Sequence, residues 1–209
     1  MLFAARRDGN DMSDWLVDAE NPLLTAVALA RVDDPSRPDR LAWNAFRTLA
    51  LWETDVWVPR LLDVACGPDN PLTGLEWSGT SVVPWATGAA FDDAVDVVLD
   101  GPEALVVVLA SLVRELGPDQ VRAGVREVLT ATSPSAKAGG VVLVLPPDSP
   151  GPPPEDAAAE LPAGTVGWLT WRDVGALAVD LAEEADELRA GQVHRLVTDL
   201  QEQFPSLDL

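Results

Sequence analysis

The feature that most constrains the fold is the apolar segment from Ala94 to Leu112, AVDVVLDGPEALVVVLASL. It predicts two strands joined by a tight turn at residues 100–103, because Gly and Pro interrupt two runs that are rich in valine. Asp96 is an acidic residue near the start of the first strand. Strands this apolar indicate the structural centre of an α/β sheet.

Helices are indicated where apolar residues recur at helical spacing. The segments concerned are residues 21–30 (beginning near Asn21-Pro22), 39–57, 60–66, 118–131 and 171–204. In the last segment Leu177, Leu181 and Leu188 share one stripe, which we expect to pack against the sheet or against a second subunit. Gly191 is a candidate break in that segment.

Besides the hairpin, strands are predicted within residues 75–85 and over 139–145 and 165–170. The run 139–145 is continuous and β-branched, which is typical of a strand buried on both faces. The proline-rich, acidic segment 146–163 is predicted to be a loop, since it is too long for an ordinary connection. The elements together predict a single α/β domain over residues 1–209, with a mixed central sheet of about four to five strands and flanking helices.

Charge and composition exclude several classes of function. Fourteen Lys and Arg oppose 34 Asp and Glu, a formal net charge of −20, which opposes binding to nucleic acid at long range. No apolar run is long enough to span a bilayer and no signal-peptide pattern is present, so we expect a cytoplasmic protein. The single cysteine, Cys66, excludes an intramolecular disulfide and a cysteine-rich zinc site. The abundance of Ala, Val, Asp and Arg is typical of a high-GC bacterium, such as an actinobacterium.

The element order αβββαβ, with Asp96 opening a central strand, resembles the core of the PD-(D/E)XK restriction-endonuclease-like superfamily. The resemblance covers roughly residues 39–181. It implies that Asp96 matches an aspartate that binds metal in the family, and that Leu109 and Ser111 stand where the family has Glu-x-Lys. In active members the carboxylates hold Mg²⁺ and the lysine helps to position the attacking water. The resemblance therefore implies a degenerate site in which Glu-x-Lys is replaced.

The same resemblance implies two further site residues. Glu53 matches an acidic residue that several branches carry on a helix, and Gln120 matches a glutamine that some members place beside the site. Asp96, Glu53 and Gln120 are thus the vestigial catalytic candidates, and Asp96 is the candidate metal ligand. Lys137, the sole lysine, lies beyond the 118–131 helix, too far to replace the missing one. We expect no cofactor, with Mg²⁺ only if the chain is an active nuclease.

The remaining acidic residues, the histidine and the tryptophans are predicted to have structural roles. Asp100 and Glu103 belong to the turn, at the far end of the hairpin from Asp96. His194 and the acidic run over residues 180–187 are predicted to be solvated on the C-terminal helical segment. The tryptophans are predicted to pack in the core, with a role at a protein interface as the second interpretation. Stacking on bases is not expected, because it also needs a cationic groove.

Three functions fit these observations. The favoured one is a catalytically inactive nuclease-like domain that acts through contact with a protein partner or as a homo-oligomer, for example as a subunit of a bacterial defence or regulatory system. The second is an active metal-dependent nuclease with a relocated site. The third is an acidic DNA-mimic or inhibitor protein whose carboxylates imitate phosphates.

Overall fold

The computed structural model describes residues 38–84, 95–112, 116–149, 151, 159–183 and 185–209. These residues form a five-stranded mixed sheet flanked by helices, which confirms the predicted α/β class. In chain order the elements are α1 (Pro38–Leu49), α2 (Thr54–Cys66), β1 (Ser81–Pro84), β2 (Val97–Asp100), β3 (Ala104–Ala110), α3 (Pro118–Thr132), β4 (Ala138–Leu145), β5 (Val166–Thr170), α4 (Trp171–Ala182) and α5 (Glu187–Gln203). The helix predicted near Asn21-Pro22 and residues 150 and 152–158 of the proline-rich segment lie outside the described residues.

The strands lie side by side in chain order, from β1 to β5. β1, β2 and β3 form an antiparallel meander, whereas β3, β4 and β5 are parallel. The parallel part begins where α3 connects β3 to β4, since parallel neighbours need a crossover connection. The predicted elements at 118–131, 139–145 and 165–170 therefore correspond to α3, β4 and β5, while the strand expected within 75–85 is the shorter β1.

Strand β3 is the centre of the sheet, and all seven of its residues are buried. Its side chains alternate between two hydrophobic layers, as strand geometry requires. Val106 and Val108 pack with residues of α1, α2, α4 and α5, whereas Val107 and Leu109 pack with residues of α3. The hairpin is thus covered on both faces, by four helices on one side and by one helix on the other.

Tryptophans fill the layer between the sheet and the four helices. Trp57, Trp77 and Trp171 are at most 1% exposed. The ring of Trp57 meets that of Phe46 edge-on, with the ring centroids 6.2 Å apart. This arrangement joins α1 to α2 through aromatic contact, which favours edge-to-face geometry. Core packing is therefore the confirmed role of these three tryptophans.

The prediction of one helix over residues 39–57 is wrong. The chain leaves the helical conformation after Leu49, and a second helix begins at Thr54. The Thr54 hydroxyl donates a hydrogen bond to the Trp77 carbonyl at 2.6 Å, which fixes the start of α2 to the segment that precedes β1. Pro59 lies inside α2 rather than near the end of a helix, and the piece expected at 60–66 is the second half of α2.

The C-terminal helical segment also divides, but not at Gly191. Gly191 lies inside α5, and the division falls between Ala182, where α4 ends, and Glu187, where α5 begins. The Asp186 side chain accepts a hydrogen bond from the Arg189 backbone N–H at 2.9 Å, a regular N-cap contact. An aspartate near the middle of the predicted helix, fifteen residues after Trp171, therefore starts a new helix.

This division separates the expected leucine stripe. Leu177 and Leu181 on α4 are buried in the core, as predicted. Leu188, in the first turn of α5, is 72% exposed, so its expected packing against the sheet is wrong. The predicted stripe requires one continuous helix, whereas α5 is a separate helix whose faces need not continue those of α4.

Candidate functional site

The carboxyl ends of β3, β4 and β5 form one edge of the sheet, called the carboxyl edge below. Ligands of open α/β sheets commonly bind outside this edge. Val97 of β2 pairs with Val108 of β3, so antiparallel β2 begins where β3 ends. Asp96, which directly precedes β2, therefore lies at the carboxyl edge.

Asp96 is joined to the end of β3 by two hydrogen bonds. Its backbone N–H donates to the Val108 carbonyl at 3.1 Å, and its carboxylate Oδ2 accepts the Ala110 N–H at 2.6 Å. The residue is half-buried. Because Ala110 stands between positions 109 and 111, the structure brings Asp96 beside both places that the resemblance assigns to Glu-x-Lys. The carboxylate there is bonded to the backbone of the neighbouring strand.

Leu109 is 1% exposed and belongs to the layer under α3. A Cβ added to Gly124 would lie only 2.8 Å from Leu109 Cδ1, so the side chain occupies the space that the absent Cβ leaves on α3. The close approach of α3 to β3 therefore depends on a leucine facing a glycine. Position 109 contributes packing to the core and offers no oxygen to a metal.

Ser111 joins three elements through its backbone. Its N–H donates to the Val144 carbonyl at 2.9 Å, which continues the pairing of β3 with β4. Its carbonyl accepts a hydrogen bond from the indole Nε1–H of Trp171 at 2.9 Å, which fixes the start of α4 to the end of β3. Ser111 is 5% exposed. This position is a structural junction of the carboxyl edge.

Gln120 lies in the first turn of α3, one turn before Gly124, and so near the carboxyl edge. Its side-chain Oε1 accepts the Gly117 N–H at 2.9 Å, which caps the start of the helix. The structure thus brings Gln120 to the same edge as Asp96.

Glu53 lies at the opposite end of the sheet. It directly precedes α2, whose first residue, Thr54, bonds to Trp77. Trp77 in turn packs against Gly101 in the hairpin turn, since a Cβ on Gly101 would lie 3.2 Å from the Trp77 ring. The structure therefore does not bring Glu53 to Asp96.

The turn end of the hairpin also holds the sole lysine. Lys137 Nζ lies 2.5 Å from Asp100 Oδ1, and the Glu103 carboxylate accepts the Glu76 N–H at 2.8 Å. Asp100 follows Asp96 by four residues, about 13 Å along a strand. The prediction that Asp100 and Glu103 lie at the far end from Asp96 is confirmed, and Lys137 lies there with them.

The remaining nucleophile and base candidates lie elsewhere. Burial raises the pKa of the Cys66 thiol to about 11, so at neutral pH it is a protonated group. His194 is exposed on α5, as predicted. Among the described residues no three His, Cys, Asp or Glu side chains are grouped to hold a metal ion. None of the helices in the described ranges has both the length and the apolar character needed to cross a membrane.

A cleft that sequence analysis missed lies between α1 and α5, and it is called the α1–α5 cleft below. Its volume is about 590 Å³, and it is lined by Trp43, Asn44, Arg47, Thr48, Leu51, Gln192, Arg195, Leu196, Thr198 and Asp199. The guanidinium of Arg47 lies over the Trp43 ring, 4.7 Å from its centroid. The spacing of four residues between Trp43 and Arg47 was an available signal, because such residues are neighbours on a helix.

Comparison with known proteins found no matching family model, no similar curated protein and no similar solved structure.

Proposed function

We propose that this chain is a catalytically inactive nuclease-like domain that acts through contact with another protein or with a second copy of itself. The observation that carries the proposal is the packing of Leu109. Where the resemblance implies a metal-binding glutamate, a buried leucine fills the space opposite Gly124. Replacing an acidic ligand by a core residue removes metal binding at that position and keeps the fold.

The contacts of Asp96 support the same proposal. A carboxylate that accepts a backbone N–H at 2.6 Å stabilises the end of the hairpin, whatever else it does. Lys137 is about a strand length away, in an ion pair with Asp100. The carboxylate at the candidate site thus has a structural role. In the described residues no lysine lies near it, whereas the family has one there.

The exposed large apolar side chains lie on one side of the sheet. The large apolar residues that are exposed in the described ranges all belong to the four-helix side of the sheet: Leu51, Val56, Val64, Val179 and Leu188. The exposed side of α3 has none of them. These five side chains are therefore the ones to vary in a test of contact with a partner.

A cleavage assay tests the catalytic half of the proposal. We expect the full chain to cleave neither single- nor double-stranded DNA or RNA with Mg²⁺ or Mn²⁺. The matched variants are Asp96→Asn and Asp100→Asn, which make the same chemical change at opposite ends of the hairpin. Metal-dependent cleavage that Asp96→Asn abolishes and Asp100→Asn retains would overturn the proposal in favour of an active nuclease.

Sedimentation velocity tests the contact half in its homo-oligomeric form. Leu188 is the most exposed of the five apolar residues, so Leu188→Glu should shift an oligomer towards the monomer. Gln201→Glu, which adds the same charge at an exposed position of α5, is the control and should leave the distribution unchanged. A wild-type chain that is strictly monomeric at the highest concentration tested would remove the homo-oligomer and leave only a different protein as the partner.

A further inference from the structure

We propose that the α1–α5 cleft binds a small organic anion that carries a phosphate or carboxylate group. The cleft is separate from the carboxyl edge and from the residues that the resemblance singles out. Its volume of about 590 Å³ falls within the range of roughly 300–1,000 Å³ that small-molecule sites occupy. The proposal stands independently of the proposed function.

Two arginines from different helices line the cleft. Arg47 lies on α1 and Arg195 on α5. Neither forms an ion pair with any residue in the part of the chain that the structure describes. Guanidinium groups bind phosphate and carboxylate through paired N–H donors, so these two side chains define the ligand's charged group.

Arg47 is held in place before a ligand arrives. Its guanidinium stacks on the ring of Trp43, which is 3% exposed. Burial lowers the pKa of the Arg47 guanidinium, because part of its hydration is lost. An anion in the cleft would replace that lost hydration with charge-assisted hydrogen bonds. A side chain fixed in advance also loses less conformational entropy on binding.

The acidic residue of the cleft is already engaged. Asp199 Oδ2 accepts a hydrogen bond from Asn44 Nδ2 at 2.9 Å, which links α5 to α1 across the cleft. This contact fixes the spacing between the two helices and therefore between the two arginines. It also places one negative charge in the lining, so two arginines leave a net positive charge there.

An apolar wall completes the cleft. Leu51 and Leu196 line it together with the polar side chains, which suits a ligand with an organic body next to its charged group. A bare inorganic anion would leave this wall in water. The acidic field of the whole chain also opposes loosely bound anions, so a ligand gains affinity only from these short-range contacts.

Isothermal titration calorimetry on the full chain with phenyl phosphate, benzoate and inorganic phosphate tests the proposal. We expect saturable binding of phenyl phosphate, benzoate or both, at least about tenfold tighter than that of inorganic phosphate. Arg195→Gln should weaken that binding by about tenfold or more, the effect of losing a charge-assisted hydrogen bond. The control Arg126→Gln removes the same charge from an exposed position on α3, across the sheet, and should change the affinity less than about twofold. Arg47→Gln gives a second measurement on the other helix.

The relative affinities of the probes show which class of anion the cleft binds, and two results would overturn the proposal. Tighter binding of phenyl phosphate assigns the cleft to phosphate esters, and tighter binding of benzoate assigns it to carboxylates. Absence of binding of all three probes at about 10 mM would overturn the proposal, since any Kd would then be weaker than about 10 mM. Equal weakening by Arg195→Gln and Arg126→Gln would also overturn it, because the effect would then be one of overall charge. Neither failure bears on the inactive-nuclease proposal, which does not involve this cleft.

Discussion

The two ends of the β2–β3 hairpin each carry an aspartate, and the two aspartates act differently. At the carboxyl edge, half-buried Asp96 accepts the Ala110 backbone N–H at 2.6 Å. At the turn end, the Asp100 side chain is 46% exposed and pairs with Lys137, whose side chain is 25% exposed. The Asp96 carboxylate thus adds a hydrogen bond at the end of the β2–β3 pairing, and the Asp100 carboxylate forms an ion pair near the surface.

The difference shows that neighbours and burial decide what an acidic residue contributes. A hydrogen bond that an interstrand N–H donates to a charged acceptor is strong, and its loss leaves a donor without a partner. A surface ion pair contributes little, because water and salt screen it. Asp96 therefore contributes a specific hydrogen bond to the strand pairing, whereas Asp100 contributes an ion pair that water and salt screen. The end that resembles a nuclease site is the one where replacement should cost most.

The largest effect is expected from Leu109→Glu, which introduces at the carboxyl edge the acidic residue that the restriction-endonuclease-like resemblance implies. The new carboxylate would be buried under α3 at a site that is 1% exposed. We expect the free energy of unfolding to fall by about 3 kcal/mol or more, because a buried charge without a partner is strongly unfavourable. Urea denaturation followed by circular dichroism measures the change.

Leu109→Met is the control for this substitution. It keeps the volume and apolar character of the side chain, so its cost should stay below about 1.5 kcal/mol. If Leu109→Glu were as stable as the wild type and bound Mn²⁺, the carboxyl edge would be open to a metal and the comparison between the two ends would fail.

The second effect is expected from the matched pair Asp96→Ala and Asp100→Ala. Asp96→Ala removes the acceptor of the Ala110 N–H in a buried strand, which should lower the free energy of unfolding by about 1–3 kcal/mol. Asp100→Ala removes an exposed ion pair and should lower it by less than about 1 kcal/mol. The same denaturation experiment compares them directly. Equal losses would show that the hydrogen bond to β3 is no stronger than the surface pair.

Much of the fold follows from local sequence patterns. Continuous valine-rich runs identify β3 and β4, because only strands buried on both faces are apolar throughout. The start of α3 is marked by Gly117 at the N-cap and Pro118 at the first helical position. The divisions at residues 50–53 and 183–186 were not predictable from periodicity. They depend on contacts distant in sequence, such as that of Thr54 with Trp77, or on an N-cap inside an apolar pattern.

The candidate site was predictable only in part. The hairpin pattern places Asp96 at the end of the hairpin away from the turn. The predicted turn at residues 100–103 is one residue too early, because Asp100 ends β2 and the Gly101 N–H donates to the Ala104 carbonyl.

The hairpin pattern does not reveal that Glu53 lies at the other end, since that depends on how α2 packs beside Trp77. The α1–α5 cleft joins residues about 150 positions apart, as the contact of Asn44 with Asp199 shows. A local sequence pattern does not indicate that α1 packs beside α5.

The smallest effect is expected from Lys137→Met, which tests the turn end alone. The substitution removes the partner of Asp100 and keeps most of the apolar stem of the side chain. We expect the free energy of unfolding to fall by less than about 1 kcal/mol at low ionic strength. The loss should become undetectable in about 1 M NaCl, where the Debye length is about 3 Å and the pair is screened in both proteins. Denaturation midpoints of wild type and variant at the two salt concentrations measure this difference. A loss that persists in high salt would mean that Lys137 stabilises the turn by packing rather than by charge, and the two ends of the hairpin would then differ less than their hydrogen bonds indicate.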